Sequence, residues 1–385
     1  MTVDPFLIKT LEELIAYPTI SEDSNLPIIN HIKNFLESFG INSHLIYNDE
    51  QTKANIFATV GPLKKGGVVL SGHTDVVPTK QQKWTTDPFT LTKKDNLYFG
   101  RGTADMKSFL AVTLSLIPEM VSANLKFPIH LAFSYDEEVG CIGVPSMIEF
   151  IKKEIPAPKA VIVGEPTEMK VVSAHKGVTG VTVEIIGKEA HSSQTHLGVS
   201  STMVAGEIIN FINNLNSEIS LSGKKNSNFQ PPNTTLTVNT IQGGSALNIL
   251  AGRCTLSLDI RSLPEENAQV YLDKIKFFCN SNILPRIKQI SNDCKININT
   301  IASTPSLKSY EKSEAETLCR NITGDNQIRC VSFAAEAGQF QKAGMETVIC
   351  GPGSIEQAHK PDEFIQKDQL ILCNRFLLKL ISKLS

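Results

Sequence analysis

Features that would assign this chain to several specialised classes of protein are missing from its sequence. No stretch approaches the run of about 20 apolar residues that a membrane-spanning helix needs. The opening MTVDPFLIKTLEELIAY contains acids and a proline where a signal peptide needs a basic segment followed by an unbroken apolar one. With a formal net charge of only -2, the chain also lacks the basic surface typical of nucleic-acid-binding proteins. We therefore expect a cytoplasmic protein with neither a membrane nor a nucleic acid as its partner.

The local motifs of several other classes are missing as well. The eight cysteines are scattered, and no two of them form the C-x-x-C pair of thiolate zinc sites or redox motifs. There is no G-x-S-x-G motif of a serine hydrolase, no Walker lysine loop and no G-x-G-x-x-G nucleotide motif. We expect the cysteines to be small buried apolar side chains in a reducing compartment.

The apolar pattern that is present predicts an α/β fold in two domains. A chain of 385 residues exceeds the length of about 250–300 at which a single hydrophobic core stops growing. Strand-like runs at 67–70, 129–134 and 160–163 alternate with helical patterns such as 26–39, which Gly40 closes. This alternation predicts a mainly parallel sheet flanked by helices in the larger domain.

The character of the sequence changes after Gly177 and changes back near residue 304. The predicted order between these points is strand, helix, strand, strand, helix, strand, at 181–186, 200–215, 236–241, 254–260, 264–278 and 295–301. This is the β-α-β-β-α-β order of ferredoxin-like domains. We therefore predict a discontinuous main domain of residues 1–179 and 304–385, interrupted by an inserted domain of residues 180–303.

Residues that can bind metal follow the predicted strands at several points. In VVLSGHTDVVP, His73 and Asp75 lie two residues apart at a strand end, so their side chains share one face and one can orient the other. Asp105 in GRGTADMK precedes a helix, and Glu165 ends the strand of AVIVGEPT. Taken singly, Asp105 is also explained as a helix N-cap.

Two further segments add acids and a second histidine. LAFSYDEEVG places Asp136, Glu137 and Glu138 in a row, where like charges repel unless a cation or water compensates them, although a solvated turn also explains the triplet. His359 lies in the Gly- and Pro-rich segment GPGSIEQAHKPDEF. Because the carboxyl ends of parallel strands meet at one edge of a sheet, we expect these side chains to lie together. Two histidines and three carboxylates suit two divalent ions, zinc first, with cobalt or manganese as alternatives.

Five segments follow one another along the chain: SGHTD, GRGTADMK, DEEVG, GEPT and GPGSIEQAH. In this order they resemble the motifs of the M20 family of metallopeptidases and amidohydrolases, and the resemblance covers nearly the whole chain. The resemblance implies that His73 and Glu165 bind one metal ion, that Glu138 and His359 bind the other, and that Asp105 bridges the two. It therefore implies a two-metal hydrolase, in which the ions polarise the scissile carbonyl and lower the pKa of water.

The same resemblance implies roles for residues that do not bind metal. Asp75 would support His73, and Glu137 would be the general base that takes a proton from water and passes it to the leaving amine. A non-proline cis peptide is expected after Asp105. His191, in GKEAHSS of the inserted domain, is the candidate oxyanion donor, although a surface or capping histidine is the ordinary reading of such a residue. In the family this domain acts as a lid and dimerises, which implies a homodimer.

Four segments carry a more specific resemblance: KWTTDPFTLT, AHKG, DIRSLP and GPGSIEQAHKPDE. They resemble the acetylornithine deacetylase subgroup. They imply hydrolysis of N2-acetyl-L-ornithine to L-ornithine and acetate, a step of arginine biosynthesis. Arg261 suits bidentate capture of the substrate α-carboxylate, with Asn248 as a helper, although a surface salt bridge also explains it. Glu336 is the candidate partner of the cationic amine of the substrate.

Other functions remain open at this point. Another M20 amidohydrolase, such as a succinyl-diaminopimelate desuccinylase or a general aminoacylase, shares the same ligand motifs. A non-catalytic binding protein on the same fold would be expected to lose the base or the ligands, yet Glu137 and all five ligand candidates are present. The residues therefore favour an enzyme acting on a small N-acyl amino acid.

Overall fold

The computed structural model describes residues 3–21 and 23–385, which divide into two compact units. The first takes in the described residues of Met1–Ala174, Leu307–Cys330 and Ala335–Ser385, and the second consists of His175–Ser306 and Val331–Ala334. The predicted domain boundaries, at 179/180 and 303/304, stay a prediction. The boundaries between the compact units lie a few residues from the predicted domain boundaries, and Val331–Ala334 belongs to the second unit.

The helices of the described residues begin and end at recognisable signals, such as the Asp4 side chain that accepts from Phe6 N–H at the first and the left-handed Gly324 after the ninth. In chain order they are α1 (Pro5–Ile15), α2 (Leu26–Ser38), α3 (Lys107–Ser115), α4 (Ile117–Ser122), α5 (Val144–Glu154), α6 (Ser201–Ser222), α7 (Ala268–Phe278), α8 (Leu284–Lys288), α9 (Glu314–Thr323), α10 (Ala337–Lys342) and α11 (Lys367–Leu384). A 3-10 turn spans Thr195–Leu197, and a π-helical turn, Cys279–Ile283, joins α7 to α8. Within residues 3–21 and 23–385, no helix combines the length and apolar character that crossing a membrane requires.

The strands of the described residues are, in chain order, β1 (Ser43–Tyr47), β2 (Ala54–Val60), β3 (Val68–His73), β4 (Thr92–Lys94), β5 (Leu97–Phe99), β6 (Ile129–Ser134), β7 (Ala160–Pro166), β8 (Ala174–His175), β9 (Gly177–Ile186), β10 (Thr235–Gly243), β11 (Arg253–Ser262), β12 (Lys295–Thr304), β13 (Cys330–Val331), β14 (Thr347–Gly351) and β15 (Phe364–Gln366).

A six-stranded sheet of order β1-β2-β6-β3-β7-β14 forms the centre of the first unit. The pairs β6-β3, β3-β7 and β7-β14 are parallel, whereas β1-β2 and β2-β6 are antiparallel. The parallel strands are buried along their whole length, because helices cover parallel sheets on both faces. The predicted α/β fold with a mainly parallel sheet and flanking helices is confirmed. A small antiparallel sheet, β15-β5-β4, belongs to the same unit.

Helix α3 is the central helix of the first unit, since every one of its residues is buried. It packs against β3, β7 and α1, and its Phe109 ring occupies the space in front of Gly164 of β7. The Lys107 ammonium at its start is buried too, and it donates to the carbonyls of Leu14 (3.1 Å) and Tyr17 (2.7 Å) at the end of α1. These contacts hold the start of α3, and with it the loop that carries Asp105.

The second unit contains an antiparallel sheet of order β10-β11-β9-β12. Side chains of β9 and β11 alternate between buried and half-buried, and α6 and α7 pack against the sheet. The elements follow one another as β9-α6-β10-β11-α7-β12, which is the β-α-β-β-α-β order. That this unit acts as a lid or as a dimerisation domain stays a prediction.

Candidate metal centre

The candidate metal-binding residues gather at the carboxyl ends of the three central strands of the first unit. His73 is the last residue of β3, and Glu165 lies near the end of the neighbouring β7. Glu137 and Glu138 follow shortly after β6, which lies on the other side of β3. Open α/β sheets build their ligand sites at this edge, where successive parallel strands end side by side.

The Asp105 carboxylate lies between the two histidines. Its Oδ1 is 3.0 Å from His73 Nε2, and its Oδ2 is 3.3 Å from His359 Nε2. The Asp105–Met106 peptide bond is cis, which confirms that prediction, and α3 begins only at Lys107, with Met106 as its N-cap residue. A carboxylate that turns one oxygen toward each of two histidines has the arrangement of a bridge between two cations.

Two more carboxylates complete the cluster around the histidines. Glu138 Oε2 is 3.0 Å from His359 Nε2, and Glu165 Oε1 is 3.8 Å from His73 Nε2. The buried Oε1 of Glu165 has no hydrogen-bond partner within the described part of the chain. A buried carboxylate oxygen without a hydrogen-bond donor is unfavourable unless a cation binds it. The position of this atom is therefore suited to binding a metal ion.

The electrostatics of the cluster fit a metal as well. Burial, with a contribution from the neighbouring Asp105 carboxylate, raises the pKa of Glu137 to about 8, that of Glu138 to about 7, and that of Glu165 well above its ordinary value. Burial acts to lower the pKa of His73, but the Asp105 hydrogen bond and the surrounding carboxylates raise it instead. A divalent cation would stabilise the ionised form of every carboxylate here.

Two groups of three side chains offer ligand atoms that all lie within 4.8 Å of one another. One consists of His73, Glu137 and Glu165, and the other of His73, Asp105 and Glu138. Each combines an imidazole with two carboxylates, a donor set that suits zinc, cobalt or manganese. Since Glu137 lies this close to the candidate ligands, its assignment as base rather than ligand stays a prediction.

Asp75 supports both His73 and the loop of the two glutamates. His73 Nδ1 is 2.8 Å from the backbone carbonyl of Asp75 and 3.6 Å from its carboxylate, so the carbonyl is the closer orienting group. The Asp75 carboxylate accepts from the backbone N–H groups of Glu137 (3.1 Å) and Glu138 (3.2 Å) and from the Ser21 hydroxyl (2.7 Å). Sequence reasoning missed Ser21, which no motif marks.

Cys141 is a second residue that the sequence reasoning did not connect with the site. Its buried thiol donates to Glu137 Oε1 over 3.1 Å. The sequence signal was the position itself, four residues after Glu137 in the same loop. A weak donor on one oxygen of Glu137 restricts the rotation of this carboxylate.

Glu336 lies in a different environment from the one expected of a substrate contact. Its side chain is fully buried, and its two oxygens accept from the hydroxyls of Ser71 (2.5 Å) and Ser134 (2.8 Å). These serines belong to β3 and β6, close to the strand ends that carry the site. Each oxygen accepts one hydrogen bond and keeps a second lone pair. The role of Glu336 as the partner of the substrate amine stays a prediction.

The remaining predicted residues belong to the second unit. His191 is exposed, and its Nδ1 accepts from the backbone N–H of Ser193 (3.2 Å), which leaves the proton of a neutral ring on Nε2. Arg261 Nε donates to Asp259 (2.8 Å), and Asn248 is exposed, with its carbonyl accepting from Ser192 N–H. The roles predicted for these three residues stay predictions.

Comparison with known proteins identifies the class of hydrolase to which this fold and cluster belong. The model of the peptidase family M20/M25/M40 matches residues 69–383, and the chain belongs to that family. The family depends on two metal ions, and the protein is a hydrolase. The chain is 30% identical over 387 residues to an acetylornithine deacetylase of Pasteurella multocida, a match that covers 98% of both chains.

Solved structures share the fold. An M20 family metallo-carboxypeptidase of Sulfolobus solfataricus matches with a TM-score of 0.78 and 18% identity, covering 98% of this chain and 99% of that one. A dinuclear metal-binding peptidase of the M20 family from Bacillus subtilis matches with a TM-score of 0.62 and 14% identity, covering 98% and 97%. At these identities the likeness concerns the architecture and not the substrate.

Proposed function

We propose that this protein hydrolyses N2-acetyl-L-ornithine to L-ornithine and acetate with two divalent metal ions, zinc before cobalt or manganese. The observation that carries the proposal is the convergence of His73, Asp105, Glu138, Glu165 and His359 at one strand edge, with Glu137 beside them. The acetylornithine deacetylase at 30% identity over almost the full length supports the choice of substrate within the family.

The candidate ligands divide naturally into two sets. His73 and Glu165 would hold one ion, His359 and Glu138 the other, and Asp105 would bridge them, since its two oxygens point to different histidines. Bound metal would polarise the acetyl carbonyl and lower the pKa of water. Asp75 keeps the base loop in place through the N–H groups of Glu137 and Glu138.

Glu137 is the group that we assign to proton transfer. It is buried beside the candidate ligands, and burial raises its pKa to about 8. A bound cation would favour its ionised form, which is the form that a general base needs. Glu137 takes a proton from the attacking water and then delivers it to the amine that leaves as ornithine. The Cys141 thiol holds one carboxylate oxygen, while the other stays available for the proton.

The second unit supplies the substrate contacts in this proposal. With Nδ1 accepting from Ser193 N–H, a neutral His191 ring would donate through Nε2 to the developing oxyanion, in its own or in the partner subunit. Arg261 would bind the substrate α-carboxylate, with Asn248 as an additional donor. We also propose a homodimer formed through this unit and a cytoplasmic location. Sedimentation of the purified protein as a monomer would contradict the dimer.

The test is a substrate panel assayed with zinc-loaded protein. We expect kcat/KM for N2-acetyl-L-ornithine to exceed the values for N-succinyl-diaminopimelate, for acetylated neutral amino acids and for dipeptides. Highest activity on the succinyl substrate would indicate a desuccinylase, and equal activity on all acetylated amino acids would indicate a general aminoacylase. No hydrolysis of any member by the zinc-, cobalt- and manganese-loaded forms would overturn the proposal.

A further inference from the structure

Glu363 is a buried carboxylate whose hydrogen bonds all lead to the loop of Asp105. It is 1% exposed. Its Oε1 accepts from the backbone N–H groups of Ala104 (2.8 Å) and Asp105 (3.1 Å), and its Oε2 from Gly102 N–H (3.1 Å) and the Arg101 guanidinium (2.6 Å). With two donors on each oxygen, this carboxylate has no lone pair left for a metal ion. Its contacts end on the backbone of a candidate ligand.

Arg101 links this carboxylate to the other side of the cluster. The guanidinium is also 1% exposed, and it donates to the Gln82 side-chain oxygen (2.6 Å) as well as to Glu363. The Gln82 amide then donates to the backbone carbonyl of His359 (2.8 Å). One continuous set of hydrogen bonds therefore joins the backbone of Asp105 to that of His359.

The two connected residues need such support, because neither lies in a strand or helix. Asp105 belongs to the irregular loop before α3, and His359 to the loop between β14 and β15, in the left-handed backbone region with φ 63°. No backbone ladder holds either of them, in contrast to His73 at the end of β3. The distance between the Asp105 and His359 side chains thus depends on what fixes these loops.

We propose that Glu363, Arg101 and Gln82 form a positioning network that sets the separation of Asp105 and His359, and so the affinity of the cluster for metal. The proposal rests on the two-metal site proposed above. It makes Glu363 a positioning residue and neither a ligand nor a catalytic residue. Outer groups that orient metal ligands affect metal affinity by about 10–100-fold when removed.

The experiment measures stepwise zinc affinities of the metal-free full-length protein, by competition with a chromophoric chelator, at a temperature where each variant is folded by circular dichroism. Glu363→Gln replaces one acceptor oxygen with an NH2 group, which faces two N–H donors in either orientation of the amide. We expect this variant to bind at least one of the two zinc ions about 10–100-fold more weakly than the wild type does. Gln82→Leu removes the link to His359 without leaving a charge unpaired. It should lower the affinity for one zinc ion and leave the affinity for the other unchanged.

A matched control is available on α9, where Glu316 accepts from Arg320 at 2.9 and 2.7 Å in a half-buried ion pair that touches no candidate ligand. Glu316→Gln should bind zinc as the wild type does, even if its metal-free form melts at a lower temperature. Excess zinc should restore part of the hydrolytic activity of Glu363→Gln, because the defect lies in metal occupancy.

Three outcomes decide the proposal. Wild-type zinc affinities in both Glu363→Gln and Gln82→Leu would overturn it, and if Glu363→Gln does not fold, Gln82→Leu decides alone. Weakened zinc binding in Glu316→Gln equal to that in Glu363→Gln would also overturn it, since the effect would then be general destabilisation. A wild-type protein that binds a single ion would contradict the proposed two-metal site. The positioning network would then be tested by the affinity of Glu363→Gln for that one ion, and a wild-type affinity would overturn it.

Discussion

At the scale of single residues, Glu137 and Glu138 are neighbours in the chain with different surroundings. Glu138 faces the His359 imidazole, whereas Glu137 accepts from the Cys141 thiol and lies in the group of His73 and Glu165. Both backbone N–H groups are held by Asp75. The two side chains can therefore be exchanged for alanine one at a time without changing how their loop is attached.

We predict that Glu137→Ala keeps its bound metal but loses most of its turnover. General acid–base catalysis contributes about 10²–10⁴-fold. In the proposed mechanism this carboxylate serves both the water and the leaving amine, so the loss should reach the upper end. Glu138→Ala should instead bind metal more weakly, and added zinc should partly restore its activity. Metal content by elemental analysis and kcat at saturating zinc separate the two. Loss of metal in Glu137→Ala with full metal in Glu138→Ala would reverse the assignment.

At the scale of the elements, the packing of α3 against β7 depends on a glycine. A Cβ on Gly164 would lie 2.1 Å from Cγ of the Phe109 ring, and both residues are in the buried interior. The absence of a side chain at this position lets the helix approach the strand that carries Glu165 in the next position. The close approach therefore places Asp105, just ahead of α3, near the end of β7.

We predict that Gly164→Ala lowers the free energy of unfolding by about 1–3 kcal/mol or more, because the Phe109 ring must move in a closely packed core. Gly206, exposed within α6 with no atom within 4 Å of its would-be Cβ, provides the matched control. Gly206→Ala should raise stability by about 0.5–1 kcal/mol, since alanine favours the helix. Urea unfolding measures both. Equal stability of Gly164→Ala and the wild type would contradict the contact.

At the scale of the whole molecule, unfolding in acid should depend on buried neutral histidines. His130, in β6, is fully buried and stacks on Phe57 with ring centroids 5.6 Å apart. Burial lowers its pKa to about 4. The folded state therefore resists protonation at this ring, whereas the unfolded chain protonates near the ordinary pKa of about 6.5. This titration has no effect above pH 6.5 and costs stability progressively as the pH falls from about 6.5 to 4.

We predict that His130→Gln reduces the loss of stability between pH 7 and 4. The full difference between the folded-state and unfolded-state pKa of His130 corresponds to about 3 kcal/mol, which is the upper limit of the effect. The measurement is the free energy of unfolding against pH for the variant and the wild type, so that titrations common to both cancel. His44→Gln, which removes an exposed histidine ring that lies beside Phe150, is the control variant measured in parallel. Parallel pH profiles for His130→Gln and the wild type would count against this account.

Much of the architecture could be predicted from the sequence because it depends on local periodicity. Mostly apolar runs become β3, β6 and β7, and the change to alternation in β9 marks a strand with one buried and one half-buried face. Helix ends were less accurate. The helix predicted at 264–278 begins at Ala268, where the Asn267 side chain accepts from Gln269 N–H, a cap that apolar spacing does not reveal.

The sequence by itself determined that chemistry-bearing residues end the central strands, since the position of His73, Glu138 and Glu165 relative to apolar runs is a local property. Only the tertiary structure decided which polar groups support them. Glu336 lies 265 residues from Ser71, and Glu363 lies 258 residues from Asp105, yet both pairs are hydrogen-bonded. Burial and hydrogen bonding of a carboxylate depend on segments that meet only after folding. No spacing within the chain can therefore distinguish such a residue from a solvated one.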